Sequence, residues 1–267
     1  MMNQTALVTG ASMGLGEAFA RALAARNVNL LLVARGGDKL AALAAELAAA
    51  HGVRAEWLAA DLSKPEAPAA VAAWIDGLGP DLSPAWLVNN AGFGPAGSFA
   101  AQEPALARSI IDVNCGALVE LTARLLPALR RAPAGTARVL NIASVAAFQP
   151  IPWFAVYAAS KALVLSFSEG LAEELRADGI RVTVVCPGPV KTNFGANNAL
   201  DDRLFANAPT AAEVVAKALR ASDAGVVVHQ TEGAFLTFLQ RFAPRAAVRR
   251  VAGMMVKRHA RKLGTKV

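Results

Sequence analysis

Short apolar runs alternate with longer alanine- and leucine-rich stretches along the 267 residues of the chain. The runs lie near residues 5, 28, 53, 85, 137, 180 and 225. The stretches between them have helical spacing, and this alternation is typical of repeated β–α–β units that form a parallel sheet. We therefore predict an α/β fold for residues 1–230, a single domain whose doubly wound parallel sheet has about seven strands with helices on both faces.

Two stretches, 82–102 and 139–160, contain no charged residue and are long enough to suggest membrane-spanning helices. Each contains two prolines, so we interpret them as buried strands, loops and helix. The N-terminus lacks a secretory signal pattern, and Cys115 and Cys186 lack the spacing of a disulfide framework or metal site. These features predict a reduced, cytoplasmic protein without a bound metal.

The formal net charge of +7 is concentrated at the C-terminus. Nine of the 27 Lys and Arg residues lie in residues 241–267, which contain no Asp or Glu, leaving 18 against 20 in residues 1–240. The body of the chain therefore offers no basic face for nucleic acid, and we predict no nucleic-acid partner.

The C-terminal extension, residues 231–267, has the pattern of an amphipathic basic helix. Its apolar positions recur at helical spacing and oppose basic ones: Val248, Val251, Ala252 and Met255 against Arg250, Lys257 and Arg261. Three interpretations stay open: a helix docked on the domain, attachment to an anionic membrane surface, and a lid over a substrate cleft or a subunit contact. The membrane interpretation draws on apolar residues just upstream, Phe235, Leu236, Phe238, Leu239 and Phe242.

A glycine-rich turn joins the first apolar run, TALVTG, to the first helical stretch. Gly10, Gly14 and Gly16 lie at this junction with Ser12 and Leu15. Glycines allow a ligand to approach the backbone closely, and the first N–H groups of a helix attract an anion. The turn is a candidate phosphate site; alternatively, its glycines only satisfy positive φ angles.

Tyr157, the only tyrosine of the chain, and Lys161 are four residues apart in YAASK, with Ser144 thirteen residues upstream of Tyr157. In a helix this spacing places both side chains on one face. A neighbouring cation favours the phenolate of a tyrosine, whose ordinary pKa is about 10. The pair is therefore a candidate acid/base unit.

The glycine turn and YAASK belong to a series of motifs that occur in this order along the chain: TGASMGLG, NNAG, Asn114, Ser144, YAASK and PGPVKT. Together they closely resemble the short-chain dehydrogenase/reductase family, from about residue 5 to residue 192 and more loosely to residue 228. The resemblance implies a Rossmann-fold oxidoreductase with a nicotinamide cofactor. It also implies a homodimer or homotetramer joined through helices near residues 105–129 and 155–176.

The resemblance implies a catalytic tetrad of Asn114, Ser144, Tyr157 and Lys161. Tyr157 would pass a proton to the substrate carbonyl oxygen, and Ser144 would donate a hydrogen bond to that oxygen. Lys161 would lower the pKa of Tyr157 and bind the nicotinamide ribose, while Asn114 would hold a water that links Lys161 to solvent. From the residues alone, Asn114 could instead face solvent and Ser144 could cap the following turn.

The second apolar run ends at Arg35 and carries no acidic residue for the ribose 2′-hydroxyl of NAD. Because Arg35 can pair with a 2′-phosphate, we predict NADP(H) in preference to NAD(H), although Met13 stands where NADP-preferring relatives often have a basic residue. We interpret Asp38 as the N-cap of the next helix. Asp61 is a cofactor contact or, alternatively, a cap of the helix after Pro65. The resemblance implies the remaining cofactor contacts, Leu62, Asn90, Ala91, Gly92, Pro187, Gly188, Val190 and Thr192.

Large apolar residues flank the catalytic groups, namely Phe93, Phe148, Ile151, Trp153 and Phe154. They suggest a pocket for a hydrophobic ketone, aldehyde or 3-oxoacyl thioester, unless they serve only packing, and residues 193–208 resemble the family's variable substrate loop. We predict an NADP(H)-dependent carbonyl reductase or alcohol dehydrogenase. The alternative is an NADP(H)-binding regulatory or scaffold protein whose tail binds a membrane or a partner.

Overall fold

The computed structural model describes residues 4–198, 200–201, 203, 205–230 and 242–259. The strands are β1 (Thr5–Thr9), β2 (Asn29–Ala34), β3 (Ala55–Ala59), β4 (Trp86–Asn89), β5 (Arg138–Ile142), β6 (Arg181–Cys186) and β7 (Val228–Gln230). The helices are α1 (Gly14–Ala24), α2 (Gly37–His51), α3 (Ala67–Gly77), α4 (Pro104–Ile111), α5 (Ala117–Arg131), α6 (Ala155–Glu174), α7 (Phe194–Asn197), α8 (Ala211–Asp223) and α9 (Arg245–His259). A π-helical turn, Asp112–Gly116, joins α4 to α5.

The strands in this part of the chain form one parallel sheet in the order β3-β2-β1-β4-β5-β6-β7. The predicted doubly wound α/β fold is therefore confirmed, with each strand close to its apolar run. Strands β1, β2, β4 and β5 are buried along their whole length, which explains why their sequences are runs of apolar residues without alternation.

Alternate residues of each strand point to opposite faces of the sheet and build two separate cores. On one face, Ala6 and Val8 of β1 pack in the core formed with α1, α2 and α8. On the other face, Leu7 packs in the core formed with α3, α5 and α6. The sheet is thus covered on both sides, and the loops after its strands remain available to form a site.

The order of the strands places this site. The chain winds outward in both directions from the β1–β4 pair, so a crevice opens beyond the carboxyl ends of these strands. Gly10 follows β1, Asn90 follows β4, Ser144 follows β5 closely, and Pro187 follows β6. The sequence motifs therefore lie at one edge of the sheet.

A chain of buried amides and hydroxyls stiffens the sheet beneath that edge. The Asn89 amide donates to Thr122 Oγ1 at 3.0 Å and to Asn141 Oδ1 at 2.9 Å. The Asn141 amide donates in turn to Ser168 Oγ at 2.9 Å. These bonds tie β4 and β5 to α5 and α6, and buried polar groups that find such partners hold strands and helices in one register. The sequence analysis did not predict this chain.

Two aspartates that the sequence offered as helix caps do not cap a helix. Asp38 is not an N-cap, because α2 already begins at Gly37 with Gly36 as its cap, and Asp38 lies in the first turn, where a carboxylate suits the helix dipole. The interpretation of Asp61 as the cap of the next helix is wrong, because Glu66 holds the cap position of α3.

The two uncharged stretches form strand, loop and helix segments of the domain. Among the described residues, no helix is both long and apolar enough to cross a membrane. The upstream apolar residues of the tail from Phe235 to Leu239 and Arg261 lie outside the described residues, and a domain boundary at residue 230 stays a prediction.

The predicted homo-oligomer also stays a prediction. Large apolar side chains are partly exposed on the helices proposed as its interface, namely Leu106, Ile111, Val119 and Leu163.

Candidate active site

The glycine turn after β1 has the shape of an anion site. Gly10 and Gly14 have φ angles of 64° and 61°, which side-chain-bearing residues rarely adopt. A Cβ atom on Gly10 would lie 2.9 Å from Ala91 Cα, and a Cβ atom on Gly16 would overlap the carbonyl oxygen of Gly10. The N-terminus of α1 has no side-chain cap, so its first N–H groups can receive a phosphate. The turn therefore fits the pyrophosphate of a dinucleotide.

Thr9 and Asn90 hold this turn against the loop after β4. Thr9 Oγ1 accepts hydrogen bonds from the backbone N–H groups of Asn90 and Ala91, both at 3.0 Å. The Asn90 amide donates to the carbonyl oxygens of Thr9 and Gly10 at 2.9 and 3.2 Å. Asn90 thus shapes the glycine turn from the side.

Charged and polar groups lie where the adenosine end of a dinucleotide would sit. Arg35 follows β2 and lines the cavity, and so does Lys39 from the first turn of α2. Asp61 Oδ1 accepts from the Ser63 N–H at 3.1 Å and from Ser63 Oγ at 2.9 Å. These bonds, with the charge of Arg35, hold the pKa of Asp61 below its usual value. The sequence analysis missed Lys39, although its place four residues after Arg35 was a usable signal.

Tyr157 and Lys161 lie one turn apart on α6, and both are buried, with 8% and 4% of their surface exposed. The Ser144 hydroxyl lies beside the Tyr157 phenol and acts to lower its pKa. Ser144 Oγ also accepts from the Ala146 N–H at 3.1 Å, which starts a short 3-10 helix. Ser144 therefore caps the turn and lies beside the phenol, and its hydrogen bond to a substrate oxygen stays a prediction.

Burial is the main influence on the ionisation of this pair. It raises the pKa of Tyr157 to about 12, against a smaller lowering by the neighbouring Ser144 hydroxyl. Burial also lowers the pKa of Lys161 to about 8, against a smaller rise caused by the nearby thiols of Cys115 and Cys186. The expected lowering of the Tyr157 pKa by Lys161 is not found. Lys161 Nζ instead donates to the Ile142 carbonyl oxygen at 2.7 Å and lies 5.7 Å from the Tyr157 ring centroid.

Asn114 sits in the π-helical turn between α4 and α5 and is only 1% exposed, so the expectation that it faces solvent is wrong. Its Oδ1 accepts from the Phe93 N–H at 3.0 Å. Its amide donates to the Phe93 carbonyl and to Ser160 Oγ, both at 2.9 Å. A Cβ atom on Gly92 would lie 3.0 Å from Asn114 Oδ1 and 3.2 Å from Lys161 Nζ, so both groups converge there. A water held by Asn114 stays a prediction.

A cavity of about 1250 Å³ brings most of the predicted site residues together. Gly16 and Asn114 do not line it and lie behind its wall. The predicted residues that line it are Gly10, Ser12, Gly14, Leu15, Arg35, Asp61, Leu62, Asn90, Ala91, Gly92, Ser144, Tyr157, Lys161, Pro187, Gly188, Val190 and Thr192. Among the described residues, no cluster of His, Cys, Asp or Glu side chains is placed to hold a metal ion.

Comparison with known proteins agrees with this arrangement. The family model of short chain dehydrogenases matches residues 4–203. The chain belongs to the short-chain dehydrogenase family. It is similar to a ketoacyl reductase from Nostoc, with 34% identity over 236 residues that cover 86% of this chain and 80% of the relative.

Two solved structures are also similar to this short-chain dehydrogenase. One is a short-chain dehydrogenase from Sphingobium yanoikuyae in complex with NADPH, with a TM-score of 0.80 and 34% identity over 92% of this chain and 94% of that one. The other is a bulky-bulky ketone specific alcohol dehydrogenase from Comamonas testosteroni, with a TM-score of 0.77 and 29% identity over 93% and 94%. The protein is accordingly an oxidoreductase of this family with a site for a nicotinamide dinucleotide.

The end of the cavity beside Tyr157 is lined mainly by apolar side chains and is the candidate substrate end. Phe154 stacks on Tyr157 with ring centroids 4.4 Å apart, and Phe194 lies 5.8 Å from the same ring. Two of the predicted pocket residues lie elsewhere: Phe148 packs in the core beside α6, and Trp153 packs against α9. Large apolar residues of this end outside α9 include Phe93, Ile151, Phe154, Phe194, Leu200 and Phe205.

Asn198 fastens the segment predicted to be the substrate loop to the loop after β4. It is 2% exposed, its Oδ1 accepts from the Gly94 N–H at 2.8 Å, and its amide donates to the Phe194 carbonyl at 2.8 Å. The sequence analysis missed this residue, because nothing in its local pattern separates it from neighbouring asparagines.

The apolar positions predicted on one face of the tail helix all line the cavity: Val248, Val251, Ala252 and Met255. Lys257, predicted on the opposite face, lies with its ammonium 4.5 Å from the Trp153 ring centroid. The tail helix is thus docked on the domain and also covers the cavity, whereas the membrane and subunit interpretations stay predictions.

Proposed function

We propose that this short-chain dehydrogenase is an NADP(H)-dependent carbonyl reductase or alcohol dehydrogenase for hydrophobic substrates. The observation that carries the proposal is the buried Tyr157 phenol, which lies beside Ser144 in the wall of a cavity. One end of this cavity has the phosphate-binding turn and the other is apolar.

The roles of the residues follow from their chemistry. When bound, the nicotinamide supplies or accepts the hydride at the carbonyl carbon. Tyr157 gives its proton to the carbonyl oxygen, which completes the alcohol, and takes it back in the reverse direction. Ser144 donates to the same oxygen and stabilises its developing negative charge. Lys161 would hold the nicotinamide ribose with its ammonium group, which in this structure donates to the Ile142 carbonyl and does not lower the pKa of Tyr157.

The relatives support the substrate class. One similar structure belongs to an alcohol dehydrogenase specific for bulky-bulky ketones and one similar sequence to a ketoacyl reductase. Both names describe carbonyl compounds with large or acyl substituents, which the apolar end of this cavity suits.

The test is consumption of NADPH with hydrophobic ketones, aldehydes and 3-oxoacyl thioesters, with the alcohol product identified by mass spectrometry. Stoichiometric alcohol formation supports the reductase. Binding of NADPH without turnover across the whole panel would instead support a regulatory or scaffold protein.

Arg35→Ala should weaken NADPH binding by about 10- to 100-fold, the loss expected for charge-assisted hydrogen bonds to one phosphate. NADH, which lacks the 2′-phosphate, should bind almost as before. Fluorescence titration of both cofactors measures the effect, with Arg54→Ala as a control because Arg54 is exposed and does not line the cavity. An equal loss for NADPH and NADH would contradict the assignment of Arg35 to the 2′-phosphate.

The rate of carbonyl reduction should fall as the pH rises through about 8, the pKa of Lys161. Below that pH Lys161 is an ammonium, and above it the cation is lost, whereas Tyr157 keeps its proton up to a pKa of about 12. The pH dependence of kcat/KM reports groups of the free enzyme, so it should show this decline. NADPH binding is measured at each pH as a control, and a profile that stays flat to about pH 10, two units above that pKa, would exclude Lys161 as the cation needed for reduction.

A further inference from the structure

The C-terminal helix α9 forms one side of the cavity. Its residues that face the cavity recur every three or four positions, and they are Ala247, Val248, Val251, Ala252, Met255 and Val256. All of them are apolar, whereas basic residues occupy other positions of the same helix. The side of α9 that faces the cleft is thus continuous with the apolar substrate end.

A close contact holds α9 beside the catalytic segment. Gly253 packs so tightly that a Cβ atom there would lie 3.0 Å from the Trp153 ring and 3.1 Å from Pro152 Cγ. Lys257 adds a cation–π contact with the same ring, 4.5 Å from its centroid. The Trp153 side chain therefore fixes how closely the helix approaches the domain.

Trp153 has an unusual backbone conformation. Its φ angle is 60°, a region that bulky residues rarely adopt, and its carbonyl accepts from the Gly97 N–H at 2.8 Å. The next residue, Phe154, stacks on Tyr157. Trp153 thus links the position of α9 to the segment that carries the catalytic phenol.

We propose that α9 is a wall that sets substrate specificity, with Met255 and Val251 as contacts for the distal part of the substrate. The favoured class is a carbonyl compound with an apolar substituent long enough to reach α9 from the Tyr157 hydroxyl. Trp153 is a positioning residue, because it acts on the substrate through the placement of this helix. The inference rests on the proposed carbonyl reductase function.

Met254 and Met255 provide a matched pair for the test. Both are 59% exposed and stand next to each other on α9, but only Met255 lines the cavity. Met255→Ala and Met254→Ala are compared with wild type on a homologous series of methyl ketones of increasing chain length. Met255→Ala should lower kcat/KM for the long ketones about tenfold or more by raising KM, and should leave kcat/KM for the short ketones unchanged. The reason is that one apolar group in a binding pocket changes kcat/KM by about tenfold or more. Met254→Ala should match wild type throughout.

A second comparison tests the positioning role. Gly253→Val must push α9 away from Trp153, so the preference for long over short ketones should shrink to less than half while kcat for short ketones is kept. Ala246→Val, on an exposed position of the same helix, should keep the preference. A purely structural defect would lower kcat for every ketone and would not change the preference.

The possible results distinguish a failure of the role of α9 from a failure of the proposed function. Reduction of the series by wild type, with Met255→Ala and Met254→Ala alike, would overturn the role of α9 and leave the proposed function intact. If Gly253→Val kept the full preference for long ketones, Trp153 would have no positioning role. Failure of wild type to reduce any ketone, aldehyde or 3-oxoacyl thioester would contradict the proposed function and, with it, the inference.

Discussion

Tyr157→Phe should lower kcat for carbonyl reduction by about 100- to 10,000-fold, the usual contribution of a positioned general acid. The substitution removes only the hydroxyl, and burial keeps the proton on that hydroxyl up to a pKa of about 12. No other tyrosine exists in the chain to replace it. The aromatic ring that stacks on Phe154 is retained, so the shape of the pocket should persist.

A measurement of NADPH binding distinguishes a loss of proton transfer from a loss of the cofactor site. The glycine turn and Arg35 lie at the other end of the cavity and do not depend on the phenol hydroxyl. The Kd for NADPH should therefore stay within about twofold of wild type, a change in binding free energy well under about 1 kcal/mol. Ser144→Ala provides a milder comparison. It removes one hydrogen bond to the reacting oxygen and should lower kcat less than the loss of the proton donor does. If the Tyr157→Phe variant kept a near-normal kcat, another group would have to donate the proton.

The sequence predicted those parts of the fold that depend on local pattern. The strands were located because fully buried parallel strands are runs of apolar residues, as in β1 and β2. The cofactor turn was located because the positive φ angles of Gly10 and Gly14 need glycine. The helical spacing of Tyr157 and Lys161 likewise survives in α6.

Features that depend on contacts between distant segments were missed. Trp153 was assigned to the pocket, and only the packed structure reveals that Gly253 lies against it. The buried bond between Asn89 and Asn141 joins residues that look like isolated polar positions in apolar strands. The effect of Lys161 on the phenol was also misjudged, because the carbonyl of Ile142 that receives Lys161 Nζ belongs to another element.

Gly94→Ala should lower kcat by about 100-fold or more, although the substitution adds a single methyl group to a residue without a proposed catalytic role. A Cβ atom on Gly94 would lie 2.6 Å from Tyr157 Cβ and 2.7 Å from Tyr157 Cγ, far inside van der Waals contact. The phenol must therefore move, and a displacement of about 1 Å at a reacting group can cost two orders of magnitude in rate. Overpacking should also lower the free energy of unfolding by about 1–3 kcal/mol.

Gly97→Ala is the matched control, because it makes the same change three residues away in the same loop and its Cβ atom would meet nothing within 4 Å. Its backbone N–H, which donates to the Trp153 carbonyl, is kept. Steady-state kinetics, NADPH titration and thermal unfolding of both variants test whether Gly94 fixes the position of Tyr157. We expect normal NADPH binding in both and a loss of kcat in Gly94→Ala alone, because only that variant displaces the phenol. Equal kcat values would mean that the loop yields to the methyl group and that the position of Tyr157 does not depend on Gly94.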